Sequence, residues 1–253
     1  MPPTLELTGR PDRGSVLFAW LKRLFFAAQV ILTKWAGAEA DEWNGMDRMI
    51  RAVLALVTAL TLVSTVARAA DTSTTRDARQ PEYQTLFAQL EKTDVVQEGA
   101  KEAKSVLYVF FDANCFYCHL TWKALQPYET VGLQVRWVPV AYQQPSSVGR
   151  AAAIMQASDR IAALRVNEIG YNAAQFDGGI QPMDKVAGTL VAQLQANTQL
   201  MRKFGAPGTP VLVWKDRDGK VRFKVGVPRL SELPQITRLP AQPIEDPELE
   251  KFR

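Results

Sequence analysis

The stretch Ser105-Val-Leu-Tyr-Val-Phe-Phe-Asp112, followed by Ala113-Asn114 and then Cys115-Phe116-Tyr117-Cys118, decides the reading of this chain. Eight continuous residues of apolar, β-branched and aromatic character fit a central strand covered on both faces. From Cys118 to Tyr128 the apolar residues Leu120, Trp122, Leu125 and Tyr128 recur at helical spacing, so the cysteine pair opens a helix. The chain turns from strand to helix at its two cysteines.

A cysteine is a nucleophile only as thiolate, and the free thiol ionises near ~8.5. The unpaired N–H groups and positive dipole end of a helix N-terminus lower that value. Cys115 is therefore the candidate nucleophile, and Cys118, one turn on, the candidate resolving thiol. Cys115 is expected to be the more exposed and the more acidic of the two. C-x-x-C is also half of many zinc sites, and His119 follows directly, but a structural zinc needs four ligands. These two cysteines and one histidine are all the chain has, so neither a metal nor a cofactor is expected. His119 fits either a group that steadies the thiolate or a partly exposed surface residue, and Asp112 fits a capping residue of the helix start or loop.

Working outward, Leu133–Val140 reads as a second strand, and helices fill 148–164 and 183–204 with an irregular connection over 170–182. Pro207-Gly208-Thr209-Pro210 precedes a short strand at 211–214. Asp216-Arg217-Asp218-Gly219 is a hairpin turn into a strand at 221–225, and Ser231 is a candidate N-cap of a last helix. Towards the N-terminus, Tyr83, Leu86, Phe87 and Leu90 place an amphipathic helix over 81–101. The order is α/β, a thioredoxin-like fold with a helical insertion, spanning 102–240 before a polar tail at 241–253. Thr209-Pro210 fits two readings. A proline lacks an N–H and its preceding bond can be cis, which would lay Thr209 against the sulfurs and offer its backbone to an extended substrate; it also fits a proline at the start of a strand.

The first seventy residues differ in character. From Met46 a basic start (Arg48, Arg51), an apolar run over 52–63 and Ala67-Arg68-Ala69 have the layout of a secretory signal peptide at 46–69, followed by a polar leader at 70–80. The apolar run is shorter than the ~20 residues of a spanning helix. Residues 1–45 hold a second apolar stretch, 16–35, and point to a true initiator at Met46 or Met49. Export to the periplasm is the expectation. The balance of 30 Lys and Arg against 26 Asp and Glu leaves no nucleic-acid footprint. An isolated close cysteine pair in an exported protein is redox-active more naturally than architectural.

The residues from about Tyr83 onward resemble the periplasmic thiol:disulfide isomerases of the DsbC/DsbG family. The carriers are Leu107-Tyr-Val-Phe-Phe-Asp112 leading into Cys115-Phe-Tyr-Cys118, Ala151-Ala-Ala-Ile-Met-Gln-Ala-Ser158, and Gly208-Thr209-Pro210. The resemblance implies a cis Pro210 beside the cysteines, with Thr209, Pro210, Phe116 and Tyr117 as substrate-binding residues. It implies exported protein substrates bearing disulfides or oxidised cysteines, and a membrane electron donor. The family has Gly or Pro after its first cysteine, where this chain has Phe116. It also carries an N-terminal dimerisation domain, whereas a short segment precedes Tyr83 here, so a monomer is expected. The competing expectation is a periplasmic chaperone or assembly factor that binds apolar segments around Phe116, Tyr117 and Trp122 with little redox turnover.

Overall fold

Ser105–Asp112 forms strand β2, the middle of a five-stranded sheet, in the computed structural model, which describes residues 78–253. The expected extension at 1–45, the signal peptide at 46–69 and nearly all of the leader lie outside the described residues. Helix α1 is Gln80–Leu90, β1 Val96–Gly99, α2 Phe116–Glu129, β3 Leu133–Val140, α3 Ser147–Met155, α4 Arg160–Ile169 and α5 Gly188–Lys203. Strands β4 (Val211–Lys215) and β5 (Val221–Val225) and the short helix α6 (Leu233–Thr237) follow. The sheet order is β1-β3-β2-β4-β5. Strands β2 and β3 pair in parallel from Ser105↔Leu133 to Asp112↔Val140, with α2 as their crossover, and the other three pairings are antiparallel.

Alternation along β2 assigns its two faces. Leu107, Val109 and Phe111 pack with Val135, Trp137 and Leu212 under α2, α3, α4 and α6. Tyr108 and Phe110 pack with Val138, Val211 and Val213 under α1 and the C-terminal half of α5. Burial on both faces is why β2 reads as an unbroken apolar run. Each fully buried Leu or Phe there contributes roughly 1.5–3 kcal/mol relative to exposure.

Four expectations are corrected. The helix expected over 81–101 ends at Leu90, where the Thr93 side chain donates to the Leu90 carbonyl (2.7 Å), and residues 96–99 become an edge strand on β3. Gly99 sits at φ +95° with the Leu133 carbonyl 2.4 Å from where a Cβ would lie, so this strand end requires glycine. The helical block at 148–164 is two helices, because Asp159 caps α4 by accepting from the Ala162 N–H (2.9 Å). Ser231 is no N-cap: it lies inside a 3-10 turn, Leu230–Glu232, where the Glu232 carboxylate accepts from the Arg229 N–H (2.7 Å).

The polar tail is also part of the fold. Ile244 and Leu249 are buried, Pro247–Phe252 is a 3-10 turn, and Lys123 of α2 pairs with Asp246 (2.7 Å) and Glu248. The helix expected over 183–204 begins only at Gly188, so the irregular connection runs on to 187, while β3, β4 and β5 lie where the sequence places them. No helix among the described residues is long and apolar enough to cross a membrane.

Candidate active site

Strand β2 delivers the chain to the head of α2. Cys115 is the N-cap of that helix, with extended backbone (φ −83°, ψ 111°), and its Sγ accepts from the Cys118 N–H at 3.3 Å. This is a Ser-type cap made with sulfur, and it places the Cys115 sulfur where the helix presents unpaired N–H groups. Both cysteines are free thiols. They are 2 % and 1 % exposed, so the expectation of a more exposed Cys115 does not hold, and surroundings rather than access separate them.

That separation is large. The Cys118 side chain, hydrogen-bonded to Cys115, does most to lower the Cys115 thiol from its ordinary 9.0 to about 7. Burial opposes the fall, while Thr209, Gln143 and the Cys118 amide assist it. Cys118 moves the other way, well above its ordinary value, first because it is buried and then because Cys115 takes its hydrogen bond and repels its charge.

A buried carboxylate fixes the rest. Asp112 Oδ1 accepts from the Asn114 N–H (3.0 Å) and the Ser147 hydroxyl (2.8 Å), and Oδ2 from the N–H groups of Tyr142 (2.8 Å) and Gln143 (3.1 Å). Its capping role, one of those legible in the sequence, thus reaches across to the loop after β3. That loop returns to the sulfurs. Gln143 Nε2 donates to Thr209 Oγ1 (2.8 Å), and the Thr209 N–H donates to the Tyr142 hydroxyl (3.0 Å). The Thr209–Pro210 peptide is cis, and the Thr209 carbonyl lies 3.5 Å from Cys115 Sγ. Thr209 and Pro210 therefore stand beside the cysteine pair.

The other wall comes from α4 and the connection after it. Asn167 donates to the Ala113 carbonyl (3.0 Å), Tyr171 to the Asn114 carbonyl (2.9 Å), and Asn114 Oδ1 accepts from the Gly178 N–H (3.1 Å). Phe116 packs against Tyr117, Tyr171 and Phe176, with Lys251 over both Phe116 and Tyr117. Tyr117 and Phe176 are more than half exposed, and Phe176 takes a positive φ of 52°. Of the sequence-derived site residues, Cys115, Cys118, Phe116, Thr209 and Pro210 converge, and Tyr117 points its ring outward beside them.

His119 is not a surface residue. It is 8 % exposed, stacked on Tyr171 at 4.8 Å, with Nδ1 3.4 Å from Glu168 Oε2. Both atoms face each other without other partners, so a proton between them satisfies the pair. Burial drives the Glu168 carboxyl upward, which favours retention of that proton. Tyr142, Gln143, Tyr171 and Phe176 were missed from sequence; Tyr142 and Gln143 carried a signal only in following directly on β3, as loop residues at the same strand end as the cysteines.

A family model described as a thioredoxin-like domain matches residues 92–237. The chain is 27 % identical over 152 residues to the thiol:disulfide interchange protein DsbG of Pseudomonas aeruginosa, covering 60 % of this chain and 58 % of that protein. It is 26 % identical over 152 residues to DsbG of Escherichia coli, covering 58 % of each. The chain thus spans less than two thirds of the length of these relatives. A periplasmic thioredoxin-like protein from Salmonella enterica serovar Typhimurium superposes with a TM-score of 0.48 at 23 % identity, over 61 % of this chain and 94 % of that one.

Proposed function

Because the chain belongs to the thioredoxin-like domain family, we propose that it is a thiol:disulfide interchange enzyme of exported proteins, with Cys115 attacking and Cys118 resolving. The observation that carries the reading is the asymmetry of the pair: Cys115 held as an N-cap with its thiol at about 7, Cys118 one turn on with its thiol driven upward. Similarity to DsbG supports the reaction class.

The Cys115 thiolate attacks one sulfur of a substrate disulfide; a Cys115–substrate bond forms, the substrate S–S bond breaks, and the departing sulfur carries the electron pair away and takes a proton. Cys118 then loses its proton and attacks Cys115 Sγ, closing the Cys115–Cys118 disulfide and releasing the second substrate thiol. The substrate gains two electrons and the enzyme loses two. When a different thiol of the substrate instead attacks the substrate sulfur of the mixed disulfide, a new substrate S–S bond forms, Cys115 leaves as thiolate, and pairing is reshuffled with no net electron transfer. An oxidised single cysteine enters by the same route: Cys115 attacks the sulfenic sulfur, water leaves, and Cys118 resolves.

Repeated reduction needs an external dithiol, and a membrane electron donor reached from the periplasm is part of the proposal. The monomer is part of it as well. The apolar face of α1 (Tyr83, Leu86, Phe87, Leu90) is already buried against this domain's own sheet, so it is not free for a second copy. The signal-peptide pattern at 46–69 supports the compartment.

Single-turnover reduction tests the reading. The reduced chain, mixed with a disulfide-linked peptide, should yield one equivalent of reduced peptide per Cys115–Cys118 disulfide formed, and Cys115→Ser should yield none. Turnover by Cys115→Ser equal to the wild type would overturn the assignment.

A further inference from the structure

Thr209 has main-chain groups that the sheet does not use. The ladder between β2 and β4 begins at Val211, paired with Phe110, and Pro210 supplies a carbonyl to the Gly226 N–H (2.9 Å) but has no N–H of its own. The Thr209 N–H and carbonyl therefore lie outside the sheet ladder, and side chains around the cysteine site hold both. The carbonyl lies 3.5 Å from Cys115 Sγ, and the N–H donates to the hydroxyl of Tyr142 at 3.0 Å. An extended polypeptide docking on such an edge donates an N–H to the carbonyl and offers a carbonyl to the N–H.

We propose that the Tyr142 hydroxyl holds the place of a substrate backbone carbonyl at the Thr209 N–H. It must be displaced before an extended polypeptide pairs there. Tyr142 is thus a positioning residue that sets how well polypeptide disulfides compete with small disulfides. The inference rests on the dithiol reading above and names how its substrate docks.

Three observations carry it. The backbone of Tyr142 is pinned by Asp112 Oδ2, so displacement is a side-chain movement that leaves the loop in place. Tyr142 is 38 % exposed, so its side chain has solvent to swing into. Its hydroxyl accepts from the Thr209 N–H (3.0 Å) and donates to Thr209 Oγ1 (3.4 Å), both at the surface, so displacement leaves these groups to water rather than buried without partners. Gln143 grips Thr209 through Oγ1 and touches neither of its main-chain groups. The occupant is a polypeptide with apolar side chains, since the exposed rings of Tyr117 and Phe176 flank the cysteines.

The test compares Tyr142→Phe with wild type on two probes, an extended peptide disulfide and hydroxyethyl disulfide, by the rate of Cys115 attack. The variant keeps the ring and removes the competing acceptor. The peptide-to-small-disulfide ratio of kcat/KM should rise about three- to tenfold, the worth of one net hydrogen bond, through KM rather than kcat. Hydrogen exchange of the Thr209 amide in the free protein should quicken in the variant. Tyr142→Leu, which also frees the N–H, should shift the ratio in the same direction. An unchanged or lowered ratio in both variants overturns the proposal while the dithiol reading stands. A wild-type chain that attacks neither probe overturns the dithiol reading and this proposal with it.

Discussion

Removing Cys118 should make Cys115 less acidic, and the size of the effect follows from the site. With its thiol at about 7, Cys115 is about half ionised at pH 7, whereas a thiol at the ordinary 9.0 is about 1 % ionised. The thiolate excess is roughly fiftyfold. A less basic thiolate is also a weaker nucleophile, by about tenfold over two units at a Brønsted slope of ~0.45, which leaves a net advantage of about fivefold at neutral pH. The largest cause of the lowered value is the Cys118 side-chain hydrogen bond. Hydrogen bonds to charged groups contribute ~1.5–3 kcal/mol, or about one to two pKa units. In Cys118→Ala the midpoint of Cys115 alkylation by iodoacetamide, followed against pH, should rise by about one unit or more from near 7. Restricted reagent access to Sγ slows alkylation at every pH without moving the midpoint. A wild-type midpoint at or above 9, or a fall in Cys118→Ala, would refute the reasoning.

Asp112→Ala removes four accepted hydrogen bonds at a residue 1 % exposed and strands the Asn114, Ser147, Tyr142 and Gln143 donors, so denaturant unfolding should show a loss of about 3 kcal/mol; a loss under ~0.5 would show the loop is held otherwise. Glu129 is pushed up to about 8, by burial first and then by the neighbouring Glu98 charge, with Arg165 opposing. A carboxyl raised in the fold favours folding below its unfolded value near 4.5, and that contribution is lost as pH climbs through about 8. Glu129→Gln should therefore match the wild-type Tm at pH 5 and exceed it at pH 9 by a few degrees, for about 1–2 kcal/mol; an equal gain at both pH values would contradict the shift.

The sequence displayed the centre of the fold and concealed its edges. Strand β2 was legible because burial on both faces forbids polar residues, and α2 because its apolar spacing is regular. Strand β1 was not. It has four residues, and one of its two buried positions is Glu98, whose carboxylate accepts from Trp122 (3.0 Å), Trp137 (3.1 Å) and Arg165 (2.8 Å). A charged residue buried by partners 24 to 67 positions away leaves no local pattern. His119 stood between a thiolate-steadying group and a surface residue for the same reason, since Glu168 and Tyr171 arrive from another helix and its loop. The sequence singled out the cysteines and the Thr209–Pro210 pair by residue type, but Tyr142 and Gln143 matter through where Asp112 holds them.

The central claim is that Cys115 attacks and Cys118 resolves, and mixed-disulfide trapping reads it directly. Cys118→Ala and Cys115→Ala, each reduced and then exposed to a disulfide-linked peptide, are analysed intact and after digestion by mass spectrometry. The account predicts a stable peptide adduct on Cys115 in Cys118→Ala and little adduct in Cys115→Ala, where the ionisation of the remaining thiol is driven upward. Adducts forming faster on Cys118 than on Cys115 would contradict it.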